Sequence, residues 1–240
     1  MRNFNGTRRN LLAVLAVAAL LLVALAVVAL LATHHTRPGA NPASSSPAPG
    51  ASPIPVPSGA VTLVPGTRLA NGIEVGYPHS TLGAISAATQ YLDAVASTLD
   101  PDYAASLMRL AGDPGDDDLP ADLAHSTVRL RADLHLPGSG SLDPPIAFQT
   151  TAEMYQLRAP SADHVLVLLL TSSTFINVRG AMAQSTGVFP VQMHWTDGDW
   201  KLAAIGGTGQ NYSALAATPD TQSAVGQGWQ ALIATTGGTS

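Results

Sequence analysis

The 240-residue chain contains no cysteine. That excludes disulfides, a thiolate zinc site, a cysteine nucleophile and a lipid-modified N-terminal cysteine. Charge is also scarce. Only 11% of residues are Asp, Glu, Lys or Arg, against roughly 25% in an average soluble domain. Lys and Arg total 11 and Asp and Glu 16, a net charge of −5. This balance excludes a basic nucleic-acid binder. Neither Gly-x-Ser-x-Gly nor Ser-x-x-Lys occurs, so no serine nucleophile is signalled, and Gly138-Ser139-Gly140-Ser141 reads as a plain loop.

What is present begins with a membrane segment. Leu11 to Ala32 is 22 residues of Leu, Val and Ala only. As a helix it is about 33 Å long, enough to cross a hydrocarbon core of ~30 Å. Arg2, Arg8 and Arg9 precede it and Arg37 follows, an asymmetry that places the N-terminus in the cytoplasm. The run exceeds the ~7–15 apolar residues of a cleaved signal. Residues 29–33 also lack a small-residue cleavage site, so the segment reads as an uncleaved anchor. No two of its alanines stand four apart, so it offers no small-residue pairing ridge.

The organisation that follows is a cytoplasmic tail at 1–10, a transmembrane helix at 11–32, a Pro/Ser/Ala-rich linker at 33–60 and one domain at 61–240. The linker cannot bury a core and is expected to act as an extended stalk. All 16 acids but only seven basic residues lie beyond residue 60, leaving the outer domain near −9. That charge disfavours acidic lipid and nucleic acid. The expected location is the cell membrane, single-pass, with residues 33–240 extracytoplasmic.

Within the domain, Ser80 or Thr81 caps a helix to about Leu99, with Leu82, Ile85, Ala88, Leu92, Val95 and Leu99 on one face. Asp100-Pro101 opens a second helix through Ala111. Asp118 and Pro120 predict a third from Leu119 to about Ala132. Strand patterns follow. Ile146, Phe148, Thr150, Ala152 and Met154 alternate with polar residues, and Val165–Leu170 is a continuous aliphatic run expected to be covered on both faces. Val188–Thr196 and Asp199–Ile205 flank Asp197-Gly198, a two-residue hairpin signal. That register puts Trp195 and Trp200, Met193 and Leu202, and Val191 and Ala204 on one buried face. It puts His194, Lys201, Gln192, Thr196 and Asp199 on the other. Thr218-Pro219 predicts a last helix carrying Val225, Trp229, Leu232 and Ile233. The fold class is α+β: one curved antiparallel sheet with helices packed on one face.

Candidate chemistry is thin. His34, His35, His79, His125, His135, His164 and His194 show no metal-ligand spacing. Asp113, Asp116, Asp117, Asp118 and Asp122 form an acidic run without the EF-hand pattern, and acids of this kind suit a helix start. Gly206, Gly207 and Gly209 follow a strand, but Tyr212 stands where a dinucleotide fingerprint needs its third glycine. Asp93 lies in the first helix between Leu92 and Ala94, where it either faces solvent or points into a pocket as an acid–base group. No catalytic, cofactor-binding or metal-binding residue is assigned, and no cofactor is expected.

The helix pair, third helix and meander ending in Trp195-Thr196-Asp197-Gly198-Asp199-Trp200-Lys201-Leu202 resemble the nuclear transport factor 2-like superfamily of cone-shaped α+β domains. The resemblance covers about residues 77–206. The segment Gly76-Tyr77-Pro78-His79-Ser80-Thr81-Leu82-Gly83-Ala84 is similar to the domain start of uncharacterised actinobacterial membrane-anchored proteins, some tied to conjugative elements. The layout is similar to bitopic subunits of conjugation and type IV secretion machines. The superfamily's Asp/His and Tyr/Asp enzyme constellations have no match here, so the resemblance implies no catalytic residue. It implies an apolar cone lined by the first helix, with Tyr91 near its mouth. The expected function is a non-catalytic, membrane-anchored interaction module with protein partners, no nucleic acid, and any homo-oligomer formed through the outer domain. The alternative is an extracytoplasmic small-molecule-binding or enzymatic cone.

Overall fold

The computed structural model describes residues 55–205 and 211–234. The expected cytoplasmic tail, membrane anchor and most of the linker lie outside these residues. Among them, no helix is long and apolar enough to cross a membrane.

Three short strands come first: β1 (Val61–Thr62), β2 (Arg68–Ala70) and β3 (Ile73–Val75). β2 and β3 form a hairpin around Asn71 and Gly72, whose φ angles of 48° and 82° are those a two-residue turn demands. Three helices follow, α1 (Thr81–Ala96), α2 (Pro101–Ala111) and α3 (Leu119–Asp133). Ser80 caps α1 by accepting from the Gly83 amide. Asp100 caps α2 by accepting from Asp102 and Tyr103, with Pro101 in the first turn. The third helix starts at Leu119 as expected, but Asp118 has helical angles and makes no side-chain cap bond. α1 stops at Ala96, short of Leu99, because Ser97 turns its hydroxyl to the sheet.

The main sheet has the order β1-β8-β4-β5-β6-β7, with β4 (Ala147–Arg158), β5 (His164–Ile176), β6 (Met182–Thr196), β7 (Asp199–Ala203) and β8 (Gln230–Ile233). β4 to β7 form the expected antiparallel meander. β5 is buried on both sides. Val165, Val167 and Leu169 meet the helices, and Leu168 and Leu170 meet a second cluster with Met154, Val188, Ala224 and Trp229. That second cluster gives this strand the cover on both faces that its aliphatic run predicts. The C-terminal segment, through Tyr212, Leu215 and Ala217, packs on the side opposite the helices.

Two further corrections are structural. β4 carries a bulge between Ala152 and Met154, so Phe148, Thr150 and Ala152 do not share a face with Met154. The predicted last helix is a five-residue helix, α4 (Gln222–Gly226), capped by Thr221 and not Thr218. Gly228, at φ 90°, turns the chain, and Gln230–Ile233 enters the sheet between β1 and β4. Leu232 and Ile233 are therefore strand residues.

Candidate functional site

The β6–β7 hairpin has the predicted register: Trp195 pairs with Trp200, His194 with Lys201 and Met193 with Leu202. Asp197 and Gly198 supply the turn, with φ angles of 53° and 75°. Trp200 is fully buried, and its ring meets Trp195 edge-on at 5.5 Å. Trp195 is only half-buried and stacks on His79 at 4.2 Å.

Asp199 is the main departure. It was expected on the outer face, yet it is buried. Its Oδ1 accepts from the Tyr77 amide at 3.0 Å and the Trp200 amide at 2.9 Å. Its Oδ2 accepts from the Tyr91 hydroxyl and from Lys201 Nζ, each at 3.4 Å. Lys201 also donates to the Leu110 carbonyl at 2.8 Å. Burial, then the neighbouring Glu74 and Asp199 carboxylates, push the Tyr77 phenol well above its usual value. Burial and Asp199 do the same to Tyr91. Both phenols are neutral at physiological pH. Tyr91 is thus fully buried, edge-on to Tyr77 at 5.9 Å, and not at the mouth of a cone. Protein donors surround the Asp199 carboxylate, so this cluster ties the hairpin to α1 and to the segment before it.

Three histidines gather at the same end of the sheet. His79 Nε2 lies 3.0 Å from both the Ala162 carbonyl and Asp163 Oδ1; both accept, so this nitrogen carries the hydrogen. His164 and His194 stack at 4.3 Å, and His194 Nδ1 is 2.6 Å from Asp113 Oδ2. Burial raises the Asp113 carboxyl, but the His194 bond, the Gly115 amide and the His194 and His164 charges outweigh it and hold the carboxyl below its usual value. His125 and His135 are exposed and apart from this set. Among the described residues, no three His, Asp or Glu side chains converge to hold a metal. Asp113, Asp116 and Asp117 of the acidic run line an open hollow of about 340 Å³ beside Arg109. Gly206, Gly207, Gly209, His34 and His35 lie outside the described residues. The Gly138–Ser141 segment is a loop whose Gly140 carbonyl accepts from the buried Arg131.

Asp93 takes neither of its two expected places. It accepts the Ala152 amide at 2.8 Å. One turn later Ser97 Oγ both accepts the Thr150 amide at 2.9 Å and donates to the Thr150 carbonyl at 3.0 Å. Asp93 on α1 and Ser97 at its C-terminal cap, four residues apart, thus replace a neighbouring strand along β4. Burial raises the Asp93 carboxyl to about 7, against the lowering effect of the Ala152 bond.

The space between α1, α3 and the sheet is filled. The cavity there, lined by Val95, Leu123, Leu130, Thr150 and Phe189, is about 20 Å³, room for one water. An open groove of about 500 Å³ lies between the α1–α2 corner and the Gly140–Phe148 segment, with Leu99, Leu142, Ile146 and Asp100 on its walls.

A family model for a domain of unknown function, DUF8175, matches residues 65–226. The chain belongs to this family. The match runs from β2 through α4 and so takes in the hairpin, the Asp199 cluster and the filled interior. No curated protein matches. Among solved structures, the chain is similar to one assigned as a calcium/calmodulin dependent protein kinase II association domain from Xanthomonas campestris. The identity is 11%, the TM-score 0.35, and the match covers 54% of this chain and 91% of that one. It is also similar to the intermembrane space region of the chloroplast protein ARC6, at 16% identity and a TM-score of 0.28, covering 50% of this chain and 87% of that one.

Proposed function

We propose that the protein is a non-catalytic, membrane-anchored interaction module, with the α+β domain held outside the cytoplasm by the Leu11–Ala32 segment and its stalk. The observation that carries this reading is the filled interior. A ligand-binding or enzymatic cone needs an enclosed pocket with converging ionisable groups. Between α1, α3 and the sheet, the space is about 20 Å³. The Asp199 carboxylate is tied by protein donors, and Asp93 is engaged by the Ala152 amide.

The finer reading is an accessory subunit of a conjugative transfer or secretion apparatus in an actinobacterial envelope. The layout of tail, span, stalk and domain supports it, as does the likeness of the Trp195–Leu202 hairpin to nuclear transport factor 2-like domains. Chemical crosslinking of the full chain in its native membrane, followed by deletion of its gene, tests it. Specific adducts with envelope proteins, and loss of transfer or secretion on deletion, are expected. Recovery as an uncrosslinked monomer, with transfer and secretion intact after deletion, overturns it.

A further inference from the structure

Leu99, Leu142 and Ile146 belong to the small apolar cluster completed by Leu130, Leu136, Phe148 and Phe175, yet all three stay half-buried. Their remaining surface lines the open groove between the α1–α2 corner and the Gly140–Phe148 segment, about 500 Å³ in volume. Aliphatic side chains on a concave surface of this size can bury an anchoring side chain of a partner.

The protein's own bonds hold the walls in place. Ser97 ties the corner to Thr150 through two hydrogen bonds. Asp100 caps α2. The Tyr103 hydroxyl donates to the Asn71 carbonyl at 3.2 Å. On the facing wall, Arg131 donates to the Gly140 carbonyl at 2.6 Å. A groove fixed in this way loses little loop or side-chain freedom when it is filled.

Its charge has one sign. Residues 94–103 and 140–148 contain three acids, Asp100, Asp102 and Asp143, and no Lys, Arg or His. All three are exposed, and among the described residues none makes an ion pair. Arg131 is only 1% exposed, so it offers no surface to an occupant.

We propose that this groove docks a basic, apolar segment of a partner protein, with a Leu, Ile or Phe side chain between Leu99 and Ile146 and Lys or Arg set against Asp100 and Asp143. The proposal rests on the interaction-module reading and gives that module its partner-binding face. Charge complementarity favours this occupant over two others. Residues 33–60 of the same chain carry a single Lys or Arg, Arg37. A second copy brings an acidic surface, with 16 acids against seven Lys and Arg beyond residue 60, so like charges would meet.

The test titrates short synthetic peptides onto the full chain, read by fluorescence anisotropy. Three share a Leu-x-x-Leu core and are flanked by Lys, Glu or Ser; a fourth keeps the Lys flanks around a Ser-x-x-Ser core. The Lys-flanked Leu peptide is expected to bind at least about tenfold tighter than any of the others. Ala147 is exposed on the groove wall. Ala147→Arg fills the groove and adds a cation, and is expected to weaken that peptide about tenfold or more. Asp143→Lys should weaken it to a smaller degree. Ala214→Arg, exposed on the C-terminal segment, is the charge control and should bind as the parent does. All three positions are exposed, so the variants should melt as the parent does.

No binding of the Lys-flanked Leu peptide, equal binding of all four peptides, or unchanged binding by Ala147→Arg overturns the proposal. So does binding that emerges only when residues 33–54 are removed, which would give the groove to the chain's own segment. A dimer that Ala147→Arg dissociates, with the peptide unaffected, would give it to a second copy and overturn the proposal equally. The broader reading is judged separately. Adducts with envelope proteins that persist in Ala147→Arg overturn the groove and keep the interaction module, whereas a parent chain without adducts overturns the module itself.

Discussion

The Asp93 carboxylate accepts the Ala152 amide at 2.8 Å, next to the bulge where β4 exchanges its faces. A helix side chain there occupies the place a neighbouring strand would take. With Ser97 one turn on, it blunts the edge until β8 resumes pairing at Met154 and Tyr155. The arrangement costs an acid its solvation, which is why its carboxyl is raised to about 7.

That shift predicts a pH dependence of stability. A carboxyl raised in the folded state stabilises the fold fully below its unfolded pKa of about 3.9 and loses that contribution as pH rises through the folded value, about 7. Asp93→Asn keeps an oxygen acceptor for Ala152 and removes the titration. Denaturant melts of this variant at pH 8 should show a gain of about 1–2 kcal/mol over the parent, discounted for partial exposure. At pH 4 the two should agree. A parent more stable than Asp93→Asn at pH 8 contradicts the assignment.

Asp113 should act in the opposite sense. Its carboxyl is held low, so its contribution is present above the unfolded pKa and is lost as pH falls through the folded value. His194→Ala removes the 2.6 Å bond. The acid-unfolding midpoint of that variant should move to higher pH. An unchanged midpoint contradicts the pairing.

The Asp199 tie predicts a large loss on truncation. Asp199→Ala strands the Tyr77 and Trp200 amides and leaves Lys201 with the Leu110 carbonyl as its remaining bond. The expected cost is about 3 kcal/mol or more, read by chemical denaturation. Trp200→Ala should cost about 3–5 kcal/mol, because a fully buried ring leaves a cavity. Trp195→Ala should cost less, since that ring is half-buried.

The β8 assignment is tested by hydrogen exchange. The Ala231 amide lies in a strand between β1 and β4, so the Gln230–Ile233 amides should exchange slowly and in the alternating pattern of a strand. Uniform protection that runs on from α4 would restore the helix.

Much of this fold was legible because its signals are local. Asp100-Pro101 fixes α2, Asp197-Gly198 fixes the hairpin register, and the aliphatic run at Val165–Leu170 marks the central strand. Asn71-Gly72 carries the same turn chemistry, so the β2–β3 hairpin was readable and was missed. The C-terminal strand was not readable from periodicity. Val225, Trp229, Leu232 and Ile233 keep a helical spacing, and only the turn at Gly228 and pairing with β4 decide otherwise. The same limit hid the roles of Asp93 and Asp199. Period-two alternation put Asp199 outside, but it begins β7, where its side chain reaches back to the Tyr77 amide. The bulge after Ala152 reversed a face that alternation alone had assigned to Met154.

The central claim is that the domain works by contact with other chains and not through an internal pocket. Native mass measurement of the full chain, purified gently from cells that make it, tests this most directly. The account predicts assemblies containing two or more chains, at multiples of 24.5 kDa or with partner proteins added, and no bound small molecule. A monomer carrying a small molecule in one-to-one ratio would contradict it.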